Sequence, residues 1–146
     1  IALAAMYLTE HIEVRAILAL TESGGTARHL SRYRSPAAIY GLSRHASARR
    51  RMALMRGVGP IDFDSGGDQP RRAARAAVAQ LYRDGWLHAG DRVLITSGDH
   101  MEHLGATNTL RLLTVGVDGA AEGLGDLSAQ NSRSTPDPRD QDDADE

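Results

Sequence analysis

Residues Arg15–Arg34, RAILALTESGGTARHLSRYR, contain the transition that decides the fold. The apolar run Ala16–Leu20 predicts a buried strand, and apolar residues with helical spacing resume over Thr26–Tyr33. Small polar residues, TESGGT at Thr21–Thr26, separate the two and predict a tight loop. The sequence therefore predicts a strand, a short loop and a helix in immediate succession.

The loop itself has two open interpretations. Thr21, Ser23 and Thr26 supply hydroxyls, and a strand-to-helix junction presents free backbone N–H groups and the positive end of a helix dipole. This combination predicts a pocket for phosphate or another anion. In the alternative interpretation Ser23 only caps the helix and the two glycines only make a tight turn. Spacing alone does not choose between them.

Strand-like runs recur along the chain at Ala38–Leu42, Pro60–Phe63 and Arg92–Thr96. Helical segments lie between the first four strands, and this alternation predicts a parallel sheet with helices on both faces. The fifth run, Thr109–Val115, follows the fourth without a helix, so we expect it to be antiparallel at an edge. The predicted fold class is a three-layer α/β domain.

Besides Thr26–Tyr33, three segments are predicted to be helical: Ile1–Val14, Ala46–Met55 and Gln69–Leu87. The first is apolar on nearly every side, which predicts burial against a sheet or a neighbouring element. Because Ile1 already belongs to this apolar run, we expect the chain to be a fragment of something longer.

The composition sets limits on function. The 146 residues suit one domain, with no cysteine for disulfides or thiolate metal sites. The lack of cysteine agrees with a cytoplasmic protein, which we expect. No apolar run reaches the length of a membrane span. The formal net charge is −2, but the body is arginine-rich and the end is acidic. We expect residues 1–116 to form the domain and 117–146 to be a disordered acidic tail.

Small polar residues follow each parallel strand, and ligands of open α/β sheets bind beyond the carboxyl ends of the strands. Two other clusters suggest weaker alternatives. The run Asp99–His103, DHMEH, contains metal-ligating side chains, but it lies in a predicted loop that does not hold them on one face. Arg49–Arg51, with Arg44 and Arg56, could contact nucleic acid, but the net charge is slightly negative and aromatic residues for stacking are scarce, at 4%. A solvated helix face or an intersubunit contact is the favoured interpretation of these arginines. We therefore predict no metal site, no nucleic-acid partner and no membrane contact.

Three segments, taken in order, resemble the C-terminal domain of pyruvate kinases. They are AILALTESGGTARHLSRYR at 16–34, GLSRHASARRRMALMRGVGPIDFD at 41–64, and GDRVLITSGD with GATNTLRLLTV between 90 and 115. The resemblance covers nearly all of residues 1–115. The phrase SRH followed by MRGVGPIDFDS is most similar to the bacterial branch regulated by sugar monophosphates or AMP.

The resemblance implies a five-stranded mixed sheet in the order 3-2-1-4-5, with strand 5 antiparallel. It also implies a phosphorylated allosteric effector, bound between the loop after strand 1 and the loop after strand 4, and a contribution to a tetramer interface. The residues that match the phosphate loop are Thr21, Glu22, Ser23, Gly24, Gly25 and Thr26, and those of the second loop are Gly98, His100, Gly105, Ala106 and Thr107.

Pyruvate kinases transfer a phosphoryl group from phosphoenolpyruvate to ADP with Mg²⁺ and K⁺. The family's metal ligands and catalytic cations belong to a barrel domain, which would be a partner of this domain in the same enzyme. No part of that barrel matches this chain, which contains no lysine. The resemblance therefore implies no catalytic residue here, no cofactor in this domain, and no activity for this chain alone.

Two positions depart from the family pattern. Glu22 places a carboxylate beside the proposed phosphate, and Gly25 stands where many members have an arginine. Arg28, His29 or Arg44 would compensate if they reached the same edge. Two alternatives stay open: a purely structural assembly domain with a decayed effector site, and a free-standing phosphosugar-binding protein.

Overall fold

A computed structural model describes residues 1–67, 69–98 and 107–123. Within them helices and strands alternate until the last three strands. The elements are α1 (Ala2–His11), β1 (Ala16–Leu20), α2 (Gly25–Leu30), β2 (Ala38–Ser43), α3 (Ala46–Met52), β3 (Val58–Asp62), α4 (Pro70–Arg83), β4 (Arg92–Gly98), β5 (Thr107–Val115) and β6 (Ala121–Glu122).

The strands form one mixed sheet in the order β3-β2-β1-β4-β5-β6. β1 pairs in parallel with β2 and β4, β2 pairs in parallel with β3, and β5 is antiparallel to β4. The predicted α/β class and the order of the first five strands are confirmed. The strand order therefore reverses between the neighbours β1 and β4, because after β3 the chain returns through α4 to the other side of β1.

The predicted count of five strands was one too low. β6 pairs antiparallel with the end of β5, after a turn closed by hydrogen bonds from Gly116 N to Ala120 O and from Gly119 N to Gly116 O. With two residues, β6 is too short to show a hydrophobic alternation in sequence. It lies within the segment that the sequence assigned to a disordered tail. Residues 124–146 of that segment lie outside the described part of the chain.

Both faces of the sheet are covered, and β1 lies at the centre. All five of its residues are buried, and they alternate between two apolar clusters. Leu18 and Leu20 pack in the cluster that includes α4, whereas Ile17 and Ala19 pack with residues of α1, α2 and α3. Burial on both faces explains why β1 reads as a continuous apolar run.

The helices are shorter than predicted. α4 begins with Pro70 in its first turn and ends where Gly85 adopts a φ of +80°, while the N–H groups of Trp86 and Leu87 both donate to Leu81 O. This left-handed ending stops the helix before Leu87, the predicted end. In the described ranges, no helix combines the length and the apolar character needed to cross a bilayer.

The helix α1 is less buried than its apolar sequence predicted. It packs on the sheet through Ala5 and Met6, but Leu3 and Tyr7 are exposed, at 68% and 60%. The helix is therefore buried on one side only, and its apolar outer side faces solvent in this chain.

Candidate functional site

The loop after β1 is held in shape by its own side chains. Thr21 N donates to Leu42 O of β2, Gly24 N donates to Thr21 Oγ1 at 2.9 Å, and Gly25 N donates to Ser23 Oγ at 3.3 Å. Two hydroxyls that the sequence assigned to an anion therefore accept hydrogen bonds from the loop amides. Each hydroxyl keeps its own proton as a donor, so the loop can still present O–H groups to a ligand.

Gly24 is needed for two reasons. Its φ of +84° lies in the left-handed region, and a Cβ there would come within 3.0 Å of the Met52 Cγ atom of α3. Met52 is fully buried. The loop therefore rests directly on α3, and the position of that helix sets the position of the loop.

The carboxylate of Glu22 does not stand alone beside the loop. Its Oε2 atom lies 3.3 Å from Arg44 Nε and is in contact with His45 Nε2. The side chain of Glu22 is only 14% exposed. Arg44 and His45 follow the end of β2, the strand next to β1. The Glu22 carboxylate is thus partnered by two basic side chains at the same edge of the sheet.

Arginines of α3 also reach this edge. Arg51 Nη2 donates to Ser23 O at 3.0 Å, and Arg49 Nη1 donates to Ser43 O at 2.9 Å while pairing with Asp62 Oδ1 at 2.8 Å. Of the five arginines that raised the nucleic-acid alternative, Arg44, Arg49 and Arg51 therefore have intramolecular partners.

Sequence reasoning found only part of this basic edge. Of the three compensating residues it named, Arg44 reaches Glu22, whereas Arg28 and His29 are exposed on α2. It assigned neither Arg51 nor His45 to this loop. The run of arginines was the available signal, but the rotation of α3 against the loop decides which of them points to Ser23.

The second loop contributes through Thr107. The Oγ1 atoms of Thr26 and Thr107 are hydrogen-bonded at 2.7 Å, and Thr107 lies opposite Gly98 in the β4–β5 ladder. The structure therefore brings together both ends of the second loop and the start of α2. The predicted site residues His100, Gly105 and Ala106, and the cluster at 99–103, lie outside the described residues. Elsewhere in the described ranges, no three metal-ligating side chains form a metal-binding group.

The family model described as pyruvate kinase, alpha/beta domain, matches residues 1–113. The chain belongs to this family. Among curated relatives, it is 47% identical over 116 residues to pyruvate kinase II of Salmonella typhimurium and 41% identical over 116 residues to a pyruvate kinase of Buchnera aphidicola. A pyruvate kinase of Methylorubrum extorquens is 36% identical over 115 residues.

Each of these alignments covers 79% of the chain but only 24% of the relative. The chain thus spans about a quarter of the length of the pyruvate kinases it matches. Family membership confirms the predicted resemblance for the α/β domain.

Proposed function

We propose that this family member is the regulatory and tetramer-forming C-terminal domain of a pyruvate kinase, and that it binds a phosphorylated allosteric effector at the loop Thr21–Thr26. The observation that carries the proposal is the convergence of this loop with Arg51 and with the Thr26–Thr107 hydroxyl pair. The loop hydroxyls keep their own protons as donors, and hydroxyls together with a guanidinium suit a phosphate.

The proposed effector class is a sugar monophosphate or AMP. One phosphate would occupy the loop, and Glu22, Arg44 and His45 stand beside it as both acceptors and donors. Such a set suits the hydroxyls of a ribose or hexose better than a second phosphate, because Glu22 would repel another anion. The second-loop residues Gly98, His100, Gly105, Ala106 and Thr107 would close over the effector.

In the full enzyme, the proposed reaction is phosphoryl transfer from phosphoenolpyruvate to ADP, in the cytoplasm. A barrel domain of the same polypeptide would supply the catalytic residues, with Mg²⁺ and K⁺. Positioned cations carry most of phosphoryl-transfer catalysis, and we assign no catalytic residue to this chain. An effector would act on the reaction only by favouring one quaternary state over another.

A structural role is the second candidate. Arg44 and His45 already contact the Glu22 carboxylate, and Gly25 has no cationic side chain that could bind a phosphate. The exposed apolar side of α1, with Leu3 and Tyr7, is suited to subunit assembly. Assembly without any response to phosphate would favour this candidate, and a self-contained gene product that binds sugar phosphates would favour the free-standing alternative.

The deciding experiment is thermal unfolding with glucose 6-phosphate, ribose 5-phosphate, AMP, fructose 1,6-bisphosphate or inorganic phosphate at constant ionic strength. A ligand at 100 times its Kd should stabilise the fold by about 2.7 kcal/mol, which raises the Tm by several degrees. We expect Thr26→Ala and Ser23→Ala to abolish a selective shift. The control Ser31→Ala, at the far end of α2, should retain it. No shift with any compound, together with oligomers in sedimentation, would support the structural role instead.

A further inference from the structure

A second cavity lies at the opposite edge of the sheet, where β1, β2 and β3 begin. Its volume is about 670 Å³, and its lining includes Arg15, Tyr33, Arg34, Ile39 and Arg56. β1 has five residues, so this edge is roughly 16 Å from the loop Thr21–Thr26. The cavity is thus separate from the proposed effector site.

The three arginines come from three different connections whose backbones are fixed. Arg15 donates its N–H to Arg92 O and accepts at its carbonyl from Ala38 N, so it is tied to β4 and β2. Arg56 lies in a turn closed by Val58 N and Met55 O, where Gly57 has a φ of +71°. Arg34 precedes Ser35, whose Oγ accepts from Ala37 N. The fold therefore holds three cationic residues around one cavity.

Their charges are not neutralised within the described part of the chain. None of Arg15, Arg34 and Arg56 forms an ion pair with a described carboxylate, and no acidic residue lines the cavity. Arg15 also lines a smaller cavity of about 280 Å³, together with the acidic residues Glu13 and Asp91. The three arginines that line this cavity carry like charges, and a bound anion with several charges would offset their mutual repulsion.

We infer that this cavity is a second anion site, which binds a small metabolite carrying two or more negative charges. Guanidinium forks match the oxygen pairs of phosphate and carboxylate groups, and three of them around one space favour a polyanion over a single charge. The volume suits a small molecule, and buried Ile39 with the half-exposed ring of Tyr33 adds an apolar surface. The ligand charge comes either from linked phosphates or from several carboxylates.

The test is isothermal titration of the 146-residue chain with pyrophosphate and, separately, with citrate at constant ionic strength. We expect one of the two to bind with 1:1 stoichiometry, and which one binds identifies the source of the charge. Arg34→Gln and Arg56→Gln should each weaken binding by about tenfold or more, as expected for the loss of a charged hydrogen-bond donor.

Arg72→Gln on α4 is the matched control, since it makes the same change of charge on an exposed residue away from the cavity. Thr26→Ala separates this site from the proposed effector loop. Unchanged affinity in both controls supports the inference. It is overturned if neither polyanion binds, if Arg72→Gln weakens binding as much as Arg56→Gln, or if Thr26→Ala abolishes it.

Discussion

The Oγ1 atoms of Thr26 and Thr107 lie 2.7 Å apart, which joins the start of α2 to the first residue of β5 across 81 positions of sequence. Neither residue is fully exposed. We expect Thr107→Val to lower the free energy of unfolding by about 1 kcal/mol, because it leaves the Thr26 hydroxyl without this partner. Urea denaturation followed by Trp86 fluorescence measures the change. Thr114→Val on the same strand should have little effect, and equal losses in both variants would contradict the role of the hydroxyl pair.

Glu22→Gln tests whether the paired carboxylate opposes an anion in the loop. The change removes a negative charge beside Ser23 and frees Arg44 and His45 from their contacts with a carboxylate. We expect the affinity for inorganic phosphate to rise about fivefold, as for the loss of a like charge near a protein surface. Calorimetric titration of the variant and of Glu10→Gln, an exposed control on α1, checks this. An unchanged Kd for Glu22→Gln would place the phosphate elsewhere.

Gly41 is required by packing rather than by backbone conformation. A Cβ at this position would overlap the Sδ atom of Met52 and lie 3.4 Å from Ala27 Cβ. Because Met52 is buried and cannot move away freely, Gly41→Ala should destabilise the fold by about 1–3 kcal/mol. In Gly25→Ala the new methyl meets only Ser23 Oγ, at 3.4 Å. That control should be neutral or slightly stabilising, since alanine favours a helix, and a similar loss in both would argue against the Met52 contact.

The buried hydroxyl of Thr96 leads to a predicted gain in stability, whereas the Gly41 substitution is predicted to lose stability. Its Oγ1 atom is fully buried and has no hydrogen-bond partner among the described residues. Thr96→Val keeps the shape of the side chain and removes an unpaired polar group, so we expect a gain of about 1 kcal/mol. Thr9→Val is the matched comparison, because the buried Thr9 hydroxyl donates to Met6 O at 2.8 Å. Thermal unfolding should show the two variants moving in opposite directions, and a destabilised Thr96→Val would show that the hydroxyl has a partner.

Much of the fold follows from local pattern. The doubly buried run Ala16–Leu20 predicted β1 with the bounds that the structure has, because continuous apolar residues mark a strand covered on both faces. The missing helix between β4 and β5 predicted that β5 is antiparallel, and this is confirmed. Its predicted edge position was wrong, because β6 pairs with β5 on its outer side. The two-residue β6 was missed, since so short a segment has no period to recognise and depends on pairing with Val115.

The proximity of the loops after β1 and β4 was predicted, but the contacts around them were not. The strand order places the loops after β1 and β4 together. The hydroxyls of Thr21, Ser23 and Thr26 were named from the sequence. That Arg51 reaches Ser23 depends on how α3 is rotated against the loop. Helical spacing sets the angle between neighbouring residues of one helix, but not the direction in which that helix faces.

The sequence by itself determined the alternation of strands and helices, the buried centre of the sheet and the polar loop after β1, because hydrophobic periodicity and turn chemistry act over a few neighbouring residues. Only the tertiary structure decided that Glu22 meets Arg44 and His45, that Thr26 meets Thr107, and that three arginines surround one cavity at the opposite edge. Those contacts join residues far apart in sequence. Their geometry comes from the packing of helices on the sheet, which no local pattern encodes.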